Sequence, residues 1–464
     1  MSTPLTLRSY DFSALALPAD APARALFAPL QHLPWAMLLE SASADHPDSR
    51  FDILVAAPRA TLTTHGNDTS LQRDGQAQPL ADDAFSALQQ AIHDHLPACN
   101  YHGELPFVGG ALGLWGYDLG RQLERLPALA SADVQIPDMA VGLYDWAWVL
   151  DHTTQQAHLL VLGDETAWQA RWEWWQQQTV QTSAGFILTG DWQSNLDQAA
   201  YAACFEQIQH HLAIGDCYQI NLTQRFSATY RGSEWQAYCL LSAHNRAPFS
   251  AFIRLPQAAI LSLSPERFLA LDGRQVSTKP IKGTRPRHAG PVQDVAARDE
   301  LANAPKDRAE NLMIVDLLRN DIGRVCQPGS VQVPALFAIE SFPAVHHLVS
   351  TITGELADGL DGLDLLRACF PGGSITGAPK IRAMEIIEQL EPHRRNGYCG
   401  SIGYVSVHGR MDTSITIRTL LAEQGRLYVW AGGGIVADSQ VDDEYQETFH
   451  KLGRILPVLG KVQP

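Results

Sequence analysis

The sequence lacks the features that mark exported, membrane-spanning or nucleic-acid-binding proteins. No apolar run approaches the roughly 20 residues needed to cross a bilayer, and residues 1–8 show no basic stretch followed by an apolar one. The net charge of −16 disfavours binding to a phosphate backbone or an anionic membrane, because both require a basic face. We therefore expect a cytoplasmic globular protein with no nucleic-acid or membrane partner.

Cysteine is scarce and shows no paired spacing. Seven cysteines occur and none belongs to a Cys-x-x-Cys pair, which fits a reducing compartment and predicts no structural zinc. Cys399 lies in Gly-Tyr-Cys-Gly-Ser and lacks the second glycine of the Gly-x-Cys-x-Gly elbow of glutaminases. We interpret it as a packing cysteine, so the chain shows no glutamine-hydrolysing nucleophile of its own.

The sequence also lacks a complete nucleotide-binding motif. Gly372 and Gly377 have the spacing of a phosphate loop, but Ala378 and Pro379 stand where that loop needs lysine followed by serine or threonine. The segment instead opens a helix, whose N-terminal amides favour an anion such as a carboxylate. A second glycine-rich segment, residues 431–436, fits either close ligand contact or a tight turn.

The hydrophobic content and the order of predicted strands and helices indicate an α+β fold. Hydrophobic residues make up 45% of the chain, and predicted antiparallel strands alternate with helices. A polar, glycine-bearing stretch at 176–191 predicts a boundary between an N-terminal lobe, 1–185, and a second region, 195–460. Tryptophans crowd residues 146–192, and we interpret them as core packing.

The segment 277–287 places Lys282 on stiff, narrow backbone between prolines and beside a glycine. Three further cations lie within five positions of it: Lys279, Arg285 and Arg287. Like charges favour the neutral form of an amine, and a neutral, positioned lysine is a nucleophile. Taken alone, the segment fits a basic surface turn as well.

Two predicted helices each carry acids three residues apart, which places them on one helix face. Asp307 and Glu310 belong to the first helix, and Glu444 and Glu447 to the second. Four converging carboxylates would suit Mg²⁺. Spacing alone favours solvated helix faces with a Glu447–Lys451 pair.

Two predicted strands carry unexpected polar residues. Arg418 lies in the otherwise apolar stretch 413–420, and a buried arginine needs an internal acid or a substrate carboxylate as acceptor. The stretch 217–226 alternates but is polar throughout, which fits either a ligand surface or a solvated edge strand.

Together these segments resemble the chorismate-utilising enzymes, which include anthranilate, aminodeoxychorismate, isochorismate and salicylate synthases. The resemblance covers nearly the whole chain and implies two large, mainly antiparallel β-sheets packed as a sandwich with helices outside. It rests on long motifs: Asp307-Arg-Ala-Glu-Asn, Asp316-Leu-Leu-Arg-Asn-Asp, Glu340-Ser-Phe-Pro-Ala-Val-His-His-Leu-Val-Ser, Gly373-Ser-Ile-Thr-Gly-Ala-Pro-Lys and Glu444-Tyr-Gln-Glu-Thr.

Lys282 separates the members of this family. Anthranilate-forming members have Pro-Ile-Ala-Gly-Thr at this position, whereas the aminodeoxychorismate-forming members have Pro-Ile-Lys-Gly-Thr, as this chain does. The resemblance therefore implies amination of chorismate at C4 through a covalent lysine adduct, for 4-aminobenzoate and folate synthesis. Ammonia would come from a glutaminase partner subunit. The alternative is anthranilate formation, with amination at C2 and pyruvate release.

The resemblance also implies roles for individual residues. Lys282 would be the nucleophile and Glu266 the proton donor, while Gln219 stands where water-adding members carry a lysine base. Mg²⁺ would be held by Glu310 and Glu447, with Asp307 and Glu444 nearby through waters. The implied substrate-binding residues are Gln219, Gly283, Thr284, His347, Thr376, Gly377, Tyr404, Arg418, Gly432, Gly434 and Lys451.

Finally, the resemblance suggests a non-catalytic pocket for L-tryptophan in the N-terminal lobe. The matching positions are Ser41, Asp48, Ser49, Arg50, Phe51, Pro248, Phe249 and Ser250.

Overall fold

Two large antiparallel β-sheets form the framework of the molecule. The structure is a computed structural model that describes residues 3–41, 49–182, 184–341 and 345–460. Its strands are, in chain order, β1 Leu5–Asp11, β2 Met37–Glu40, β3 Phe51–Val55, β4 Ala60–His65, β5 Asp68–Arg73, β6 Gln76–Leu80, β7 Gly110–Trp115, β8 Met139–Tyr144, β9 Trp146–Asp151, β10 Gln156–Leu162, β11 Ile187–Leu188, β12 Gln193–Ser194, β13 Gln219–Arg231, β14 Phe249–Arg254, β15 Ala258–Ser264, β16 Arg267–Asp272, β17 Gln275–Thr278, β18 Ile281–Pro286, β19 Gln332–Ser341, β20 Val345–Glu355, β21 Gly377–Ala378, β22 Ser401–Ser406, β23 Met411–Ile415, β24 Thr419–Glu423 and β25 Arg426–Ile435.

The helices lie between these strands along the chain. They are α1 Pro22–Phe27, α2 Ala84–His95, α3 Glu165–Gln176, α4 Gln198–Ala213, α5 Glu234–Asn245, α6 Pro291–Asn303, α7 Pro305–Gly323, α8 Gly362–Cys369, α9 Lys380–Leu390, α10 Val441–Leu452 and α11 Leu456–Gly460. Within the described ranges, no helix is both long and apolar enough to cross a membrane.

Each sheet combines strands from both ends of the chain. The first has the order β1-β10-β9-β3-β2-β14-β15-β24-β25-β13-β11, with β12 and β21 also paired to β13. The second has the order β18-β20-β17-β16-β23-β22-β7-β8-β4-β5-β6, with β19 paired to β20. The strands before and after residue 185 therefore share both sheets.

Alternation along the strands explains the layers. In β9, Ala147 and Val149 belong to the core between the sheets, whereas Trp146, Trp148 and Leu150 belong to the core under the outer helices. Successive side chains of a strand point to opposite faces, so a strand buried on both faces is apolar throughout. The predicted α+β sandwich with helices outside is confirmed.

Local sequence signals explain where several elements begin and how they pair. Helix α4 begins after Asp197, whose side chain accepts a hydrogen bond from the Ala200 amide at 2.8 Å, as an N-cap residue does. The polar stretch 217–226 lies in β13, which pairs with β25 on one side and with β11, β12 and β21 on the other. It is therefore not a solvated edge strand.

Arg418 is placed differently from the prediction. The stretch 413–420 is not one strand, because β23 ends at Ile415 and β24 begins at Thr419. Arg418 lies between them with a φ of 52°, in left-handed backbone that is uncommon for a residue with a Cβ. This break in the strand turns the arginine out of the sheet.

A buried ion pair fastens β13 to the helix beside it. Arg395 is 1% exposed and its guanidinium lies 2.6 Å from the Glu391 carboxylate. The same guanidinium donates to the backbone oxygens of Ile375 and Asn221 at 2.8 and 2.9 Å, and Glu391 accepts from the Thr223 amide and hydroxyl. The pair thus joins the end of α9 to β13 and to the loop that precedes β21.

We predict that Arg395→Ala lowers the free energy of unfolding by about 3–5 kcal/mol, because it leaves a buried carboxylate without its counter-ion. Guanidinium denaturation followed by fluorescence measures this. The control Arg319→Ala removes an exposed pair with Asp316 and should cost about 0–1 kcal/mol. Equal effects of the two substitutions would contradict the prediction.

Candidate active site

A large cavity lies where strands of both sheets meet α7 and α10. It has a volume of about 780 Å³ and is lined by residues from Asn221 to Arg454, within the size range of ligand pockets. Most of the predicted site residues line it, although they are far apart in the chain. They are Glu266, Lys282, Gly283, Thr284, Asp307, Glu310, His347, Arg418, Gly432, Gly434, Glu444, Glu447 and Lys451.

Lys282 lies in the wall of this cavity at an irregular point of β18. The pairing of β18 with β20 shifts register between Lys282 and Thr284, and Gly283 between them has a φ of 77°. A Cβ on Gly283 would lie 2.9 Å from the Asp307 side chain. Glycine therefore permits both the bulge and the close approach of α7.

The pKa of Lys282 is lowered, and the cause differs from the one predicted. Burial is the main cause, the charge of Lys451 adds to it, and the surrounding carboxylates oppose it. Arg285 and Arg287 are instead paired with Glu300 and Asp294. Desolvation of an ammonium, more than repulsion by sequence neighbours, thus favours the neutral amine.

Glu266 faces the same cavity as Lys282. It is 6% exposed, and burial raises its pKa although the charge of Lys282 opposes the shift. A carboxyl that keeps its proton to higher pH can act as a general acid. The cavity therefore holds an amine whose pKa is lowered and a carboxyl whose pKa is raised, the combination that a nucleophile and a proton donor require.

Thr284 and His347 stand opposite each other on β18 and β20. They form a registered pair, and the Thr284 hydroxyl lies 2.8 Å from Nδ1 of His347. This contact orients the imidazole on the cavity wall beside Lys282.

The acids of α7 and α10 line the same cavity, and the charge of Glu444 acts on Glu310, so the solvated-face interpretation fails. The Glu444 carboxylate accepts a hydrogen bond from Ser439 Oγ at 2.6 Å, and a Cβ on Gly433 would lie 2.9 Å from it and 3.5 Å from Glu447. Glycine at position 433 thus leaves room for two carboxylates side by side.

The charges of these acids act on one another. Burial raises the pKa of Glu310, and the nearby Glu444 and Asp307 raise it further. Burial also raises the pKa of Glu444, with Glu447 adding to the shift. Burial also acts to raise the pKa of Glu447. The Lys451 ammonium, 2.7 Å away, outweighs this effect, so the pKa of Glu447 is lowered.

The donor set fits a hard divalent cation, which carboxylate oxygens prefer. In the conformation described, however, no three acidic, histidine or cysteine side chains of the described residues are gathered around one point. Cations hold the carboxylates instead: Arg285 lies 3.1 Å from Asp307 and Lys306 lies 3.7 Å from Glu444. A divalent cation would therefore have to replace existing ion pairs.

Three arginines also line the cavity. Arg418, Arg246 and Arg454 line it, and none of the three forms an ion pair with a residue that the structure describes. Burial lowers the pKa of Arg418, and the charge of Arg454 adds to this. Unpaired arginines that line a cavity can bind a carboxylate.

Four predicted residues do not line the cavity. Gln219 is fully buried behind Gly434, where a Cβ would lie 2.5 Å from the Gln219 amide nitrogen. Thr376 is also fully buried, and its hydroxyl donates to the Gly372 oxygen at 3.0 Å. Gly377 is held in β21 against β13. These three support the wall from behind.

Tyr404 is the fourth and lies elsewhere. It lines a second cavity on the far side of β22, so the structure does not bring it to Arg418. The tyrosine that lines the larger cavity is Tyr398, whose ring stacks on Trp430 at 5.8 Å. Tyr398 precedes β22 and Tyr404 lies within it, so the two side chains line different cavities although they are only six residues apart.

Sequence reasoning missed several lining residues. Besides Tyr398 and Trp430, they include Asn221, Ser374, Lys306, Arg246 and Arg454. Lys306 directly precedes Asp307, so its helical position beside the acids could have been noticed. Arg246 and Arg454 carry no local signal, because both lie just beyond helix ends.

The second cavity has a volume of about 300 Å³. Of the eight residues predicted for a tryptophan pocket, six line it: Ser41, Arg50, Phe51, Pro248, Phe249 and Ser250. Ser49 is buried but does not line it, and Asp48 lies outside the described residues. The rings of Phe51, Phe249 and Tyr404 provide an apolar surface.

A buried carboxyl closes one end of the second cavity. Glu40 accepts hydrogen bonds from Tyr238 Oη at 2.8 Å and Ser242 Oγ at 2.5 Å, and Arg24 lies 3.3 Å away. Burial raises the pKa of Glu40. The cavity thus combines aromatic walls with a polar end, as suits a small amphipathic ligand.

Comparisons with known proteins agree with this geometry. A family model described as chorismate binding enzyme matches residues 36–457. The chain is 59% identical to aminodeoxychorismate synthase component 1 of Klebsiella aerogenes over 93% of this chain and 95% of that protein. It is 58% identical to the protein of that name from Escherichia coli strain K12, over 94% and 95%. The solved structure of anthranilate synthase component I from Streptococcus pneumoniae TIGR4 is 32% identical with a TM-score of 0.77, covering 88% of this chain and 92% of that one.

We predict that Lys282 reacts with a small acylating reagent at lower pH than an ordinary lysine. Its lowered pKa means that the neutral amine forms earlier as pH rises through the alkaline range toward the ordinary value of about 10.4. Labelling at a series of pH values, quantified by peptide mass spectrometry, gives the midpoint. Lys279, three positions earlier, is the internal reference, and a midpoint for Lys282 at or above that of Lys279 would contradict the prediction.

Proposed function

This chain belongs to the family of chorismate-binding enzymes, and on that premise we propose that it aminates chorismate at C4 with ammonia to give 4-amino-4-deoxychorismate. The observation that carries the proposal is the presence of Lys282 and Glu266 in one cavity between acids and arginines. Relatives named aminodeoxychorismate synthase component 1, at 58–59% identity, support it.

The first step would use Lys282 as nucleophile. Its amine bonds to C2 of the ring, the conjugated double bonds shift toward C4, and the C4–O bond breaks. Hydroxide is a poor leaving group, so the proton of Glu266 accompanies the oxygen and water leaves. The lowered pKa of Lys282 and the raised pKa of Glu266, both caused mainly by burial, support these roles.

The second step would reverse the bond shifts. The ammonia nitrogen bonds to C4, the double bonds return, and the C2–N bond to Lys282 breaks. The lysine leaves as an amine, and the proton gained with ammonia passes to the Glu266 carboxylate. Ammonia needs no general base to become nucleophilic, which agrees with the uncharged Gln219 behind the cavity wall.

The two sides of the cavity suit the two carboxylates of chorismate. Arg418, with Tyr398 in place of the predicted Tyr404, would bind the enolpyruvyl carboxylate, and Gly432 and Gly434 form the backbone surface beside it. His347, oriented by Thr284, would lie near the enolpyruvyl group. The ring carboxylate would then face α7 and α10.

Mg²⁺ would be held on that side by Glu310 and Glu447, with Asp307 and Glu444 contributing through waters. When bound, the ion would neutralise the ring carboxylate and orient the ring. Lys451 donates to the Gly432 oxygen at 2.7 Å, which positions its charge close to the same carboxylate.

A glutaminase subunit would supply the ammonia in the cell. The printed names of the relatives, component 1, indicate a second component in those systems. In this chain Cys399 is 1% exposed, and burial raises its pKa to about 12. A thiol in this state is not a nucleophile near neutral pH.

We also propose that the second cavity binds L-tryptophan. Its aromatic walls suit an indole ring, and Glu40 with Ser41 offers acceptors for the amino group. Because Pro248 lines both cavities, a ligand here would contact the loop that also borders the larger cavity.

The function is tested with Lys282→Ala incubated with chorismate and Mg²⁺. Wild type should show the covalent adduct by intact-protein mass spectrometry, and with ammonium salt it should release 4-amino-4-deoxychorismate. Lys282→Ala should show neither. Glu266→Gln should lower the rate by about 10²–10⁴-fold, the usual contribution of a positioned general acid.

Lys279→Ala is the matched control for this experiment, because Lys279 pairs with Glu340 and lies outside the cavity lining. Glutamine in place of ammonium should give no product with this chain alone. An adduct on Lys282→Ala would refute the nucleophile, and anthranilate with pyruvate as the products would establish the alternative function.

The second cavity is tested by calorimetric titration with L-tryptophan. Phe51→Ala should weaken binding at least ten-fold, because an aromatic wall of the cavity is lost; this corresponds to about 1.4 kcal/mol. Arg418→Gln, in the larger cavity, should leave the affinity unchanged. Absence of binding to wild type at millimolar tryptophan would refute the proposal.

A further inference from the structure

Three lysines lie beside the acids of α7 and α10 in the conformation described. Lys282, Lys306 and Lys451 all line the larger cavity. Arg285 adds a fourth cation through its pair with Asp307. Without a metal ion, the four carboxylates on these two helices thus lie among basic side chains, of which Lys306, Lys451 and Arg285 form ion pairs with them.

Two of the lysines are tied to the backbone. The Lys451 ammonium donates to the Gly432 oxygen at 2.7 Å and lies 2.7 Å from the Glu447 carboxylate. The Lys282 ammonium donates to the Ser374 oxygen at 3.4 Å. A cation moving either amine outward would break a hydrogen bond to the cavity wall.

Lys306 is held differently. Its side chain is 54% exposed, and its ammonium lies 3.7 Å from the Glu444 carboxylate, which is 5% exposed. Its charge also acts on Glu310 and Glu447. Within the described ranges its ammonium makes no hydrogen bond, so electrostatic attraction alone holds it over the acids.

We propose that Lys306 is the resident counter-ion of the acidic cluster and that a divalent cation binds there by displacing it into solvent. The inference rests on the proposed metal site. Lys306 is in the first turn of α7, directly after Pro305, and its flexible side chain can rotate outward without moving the helix. Of the three lysines, Lys306 loses the fewest contacts when its ammonium moves from the carboxylates into solvent, because it donates no hydrogen bond to the described backbone.

Displacement has a consequence for metal affinity. A dication that enters while the Lys306 ammonium still lies beside Glu444 gains little, because like charges in a partly buried site repel strongly. Lys306 therefore weakens metal binding in the absence of substrate. A carboxylate of the substrate brings the negative charge that offsets the added cation.

The test measures divalent-cation binding without substrate. Mn²⁺ is titrated into wild type, Lys306→Gln, Lys306→Arg and Arg319→Gln, with free Mn²⁺ followed by electron paramagnetic resonance and Mg²⁺ added as competitor. Lys306→Gln should bind about five-fold more tightly than wild type. Lys306→Arg, which keeps the charge, should bind no more tightly than wild type.

Arg319→Gln is the matched control. It lies on the same helix, is exposed and paired with Asp316, and changes the net charge by the same amount as Lys306→Gln. It should leave the affinity within two-fold of wild type. A tightening equal to that of Lys306→Gln would show a general charge effect and overturn the inference.

Acylation of the Lys306 amine gives a second readout that does not involve a variant. In wild type, labelling of Lys306 relative to Lys279 should rise at least two-fold at saturating Mg²⁺, because the amine leaves the carboxylates and enters solvent. Labelling that is unchanged or reduced by the metal would refute displacement.

The outcomes separate this inference from the proposed function. If wild type binds no divalent cation at millimolar concentration, the metal site of the proposed function is refuted, and this inference with it. If wild type binds the cation but Lys306→Gln binds it no more tightly, only the role of Lys306 is refuted. The lysine adduct and product assays do not depend on the role of Lys306.

Discussion

Charge balance within one partly buried cavity is the constraint on which the functional half of this molecule depends. Burying an isolated ion in this cavity would cost several kcal/mol of lost hydration. Each charged side chain is therefore stable there only because an opposite charge lies near it. The acids of α7 and α10 are matched by lysines, and burial shifts the remaining groups toward neutrality. Lys282 shows the consequence of this arrangement. Burial lowers the pKa of its amine, although nearby carboxylates oppose the shift.

The sheets make that balance possible by holding the charges at fixed distances. Lys282 lies on β18, Glu266 directly precedes β16, and the acids lie on helices that pack against β20 and β25. Glycine at 283 and at 433 lets α7 and α10 approach the strands closely. The polarised cavity, acidic toward the helices and basic toward Arg418, follows from this framework and suits a ligand with two separated carboxylates.

Much of the secondary structure could be predicted locally, because its signals are local. Caps such as Asp197, turn glycines and alternating apolar residues locate α4, β2, β3 and β13 without reference to distant contacts. The acidic faces of α7 and α10 follow from spacing in the same way. Arg418 shows the limit of such reasoning, because an apolar stretch looks like one strand even where the backbone turns left-handed between two.

The sequence by itself determined the residue types of the site: an amine between prolines, two acidic helix faces and glycine-rich segments, together resembling one family. Only the tertiary structure decided that Tyr398 rather than Tyr404 shares the cavity with Arg418, and that burial rather than neighbouring cations lowers the pKa of Lys282. It also showed that Lys306 covers the acids. Side-chain type and helical or strand period are properties of a short segment, whereas desolvation and charge pairing depend on residues brought together from opposite ends of the chain.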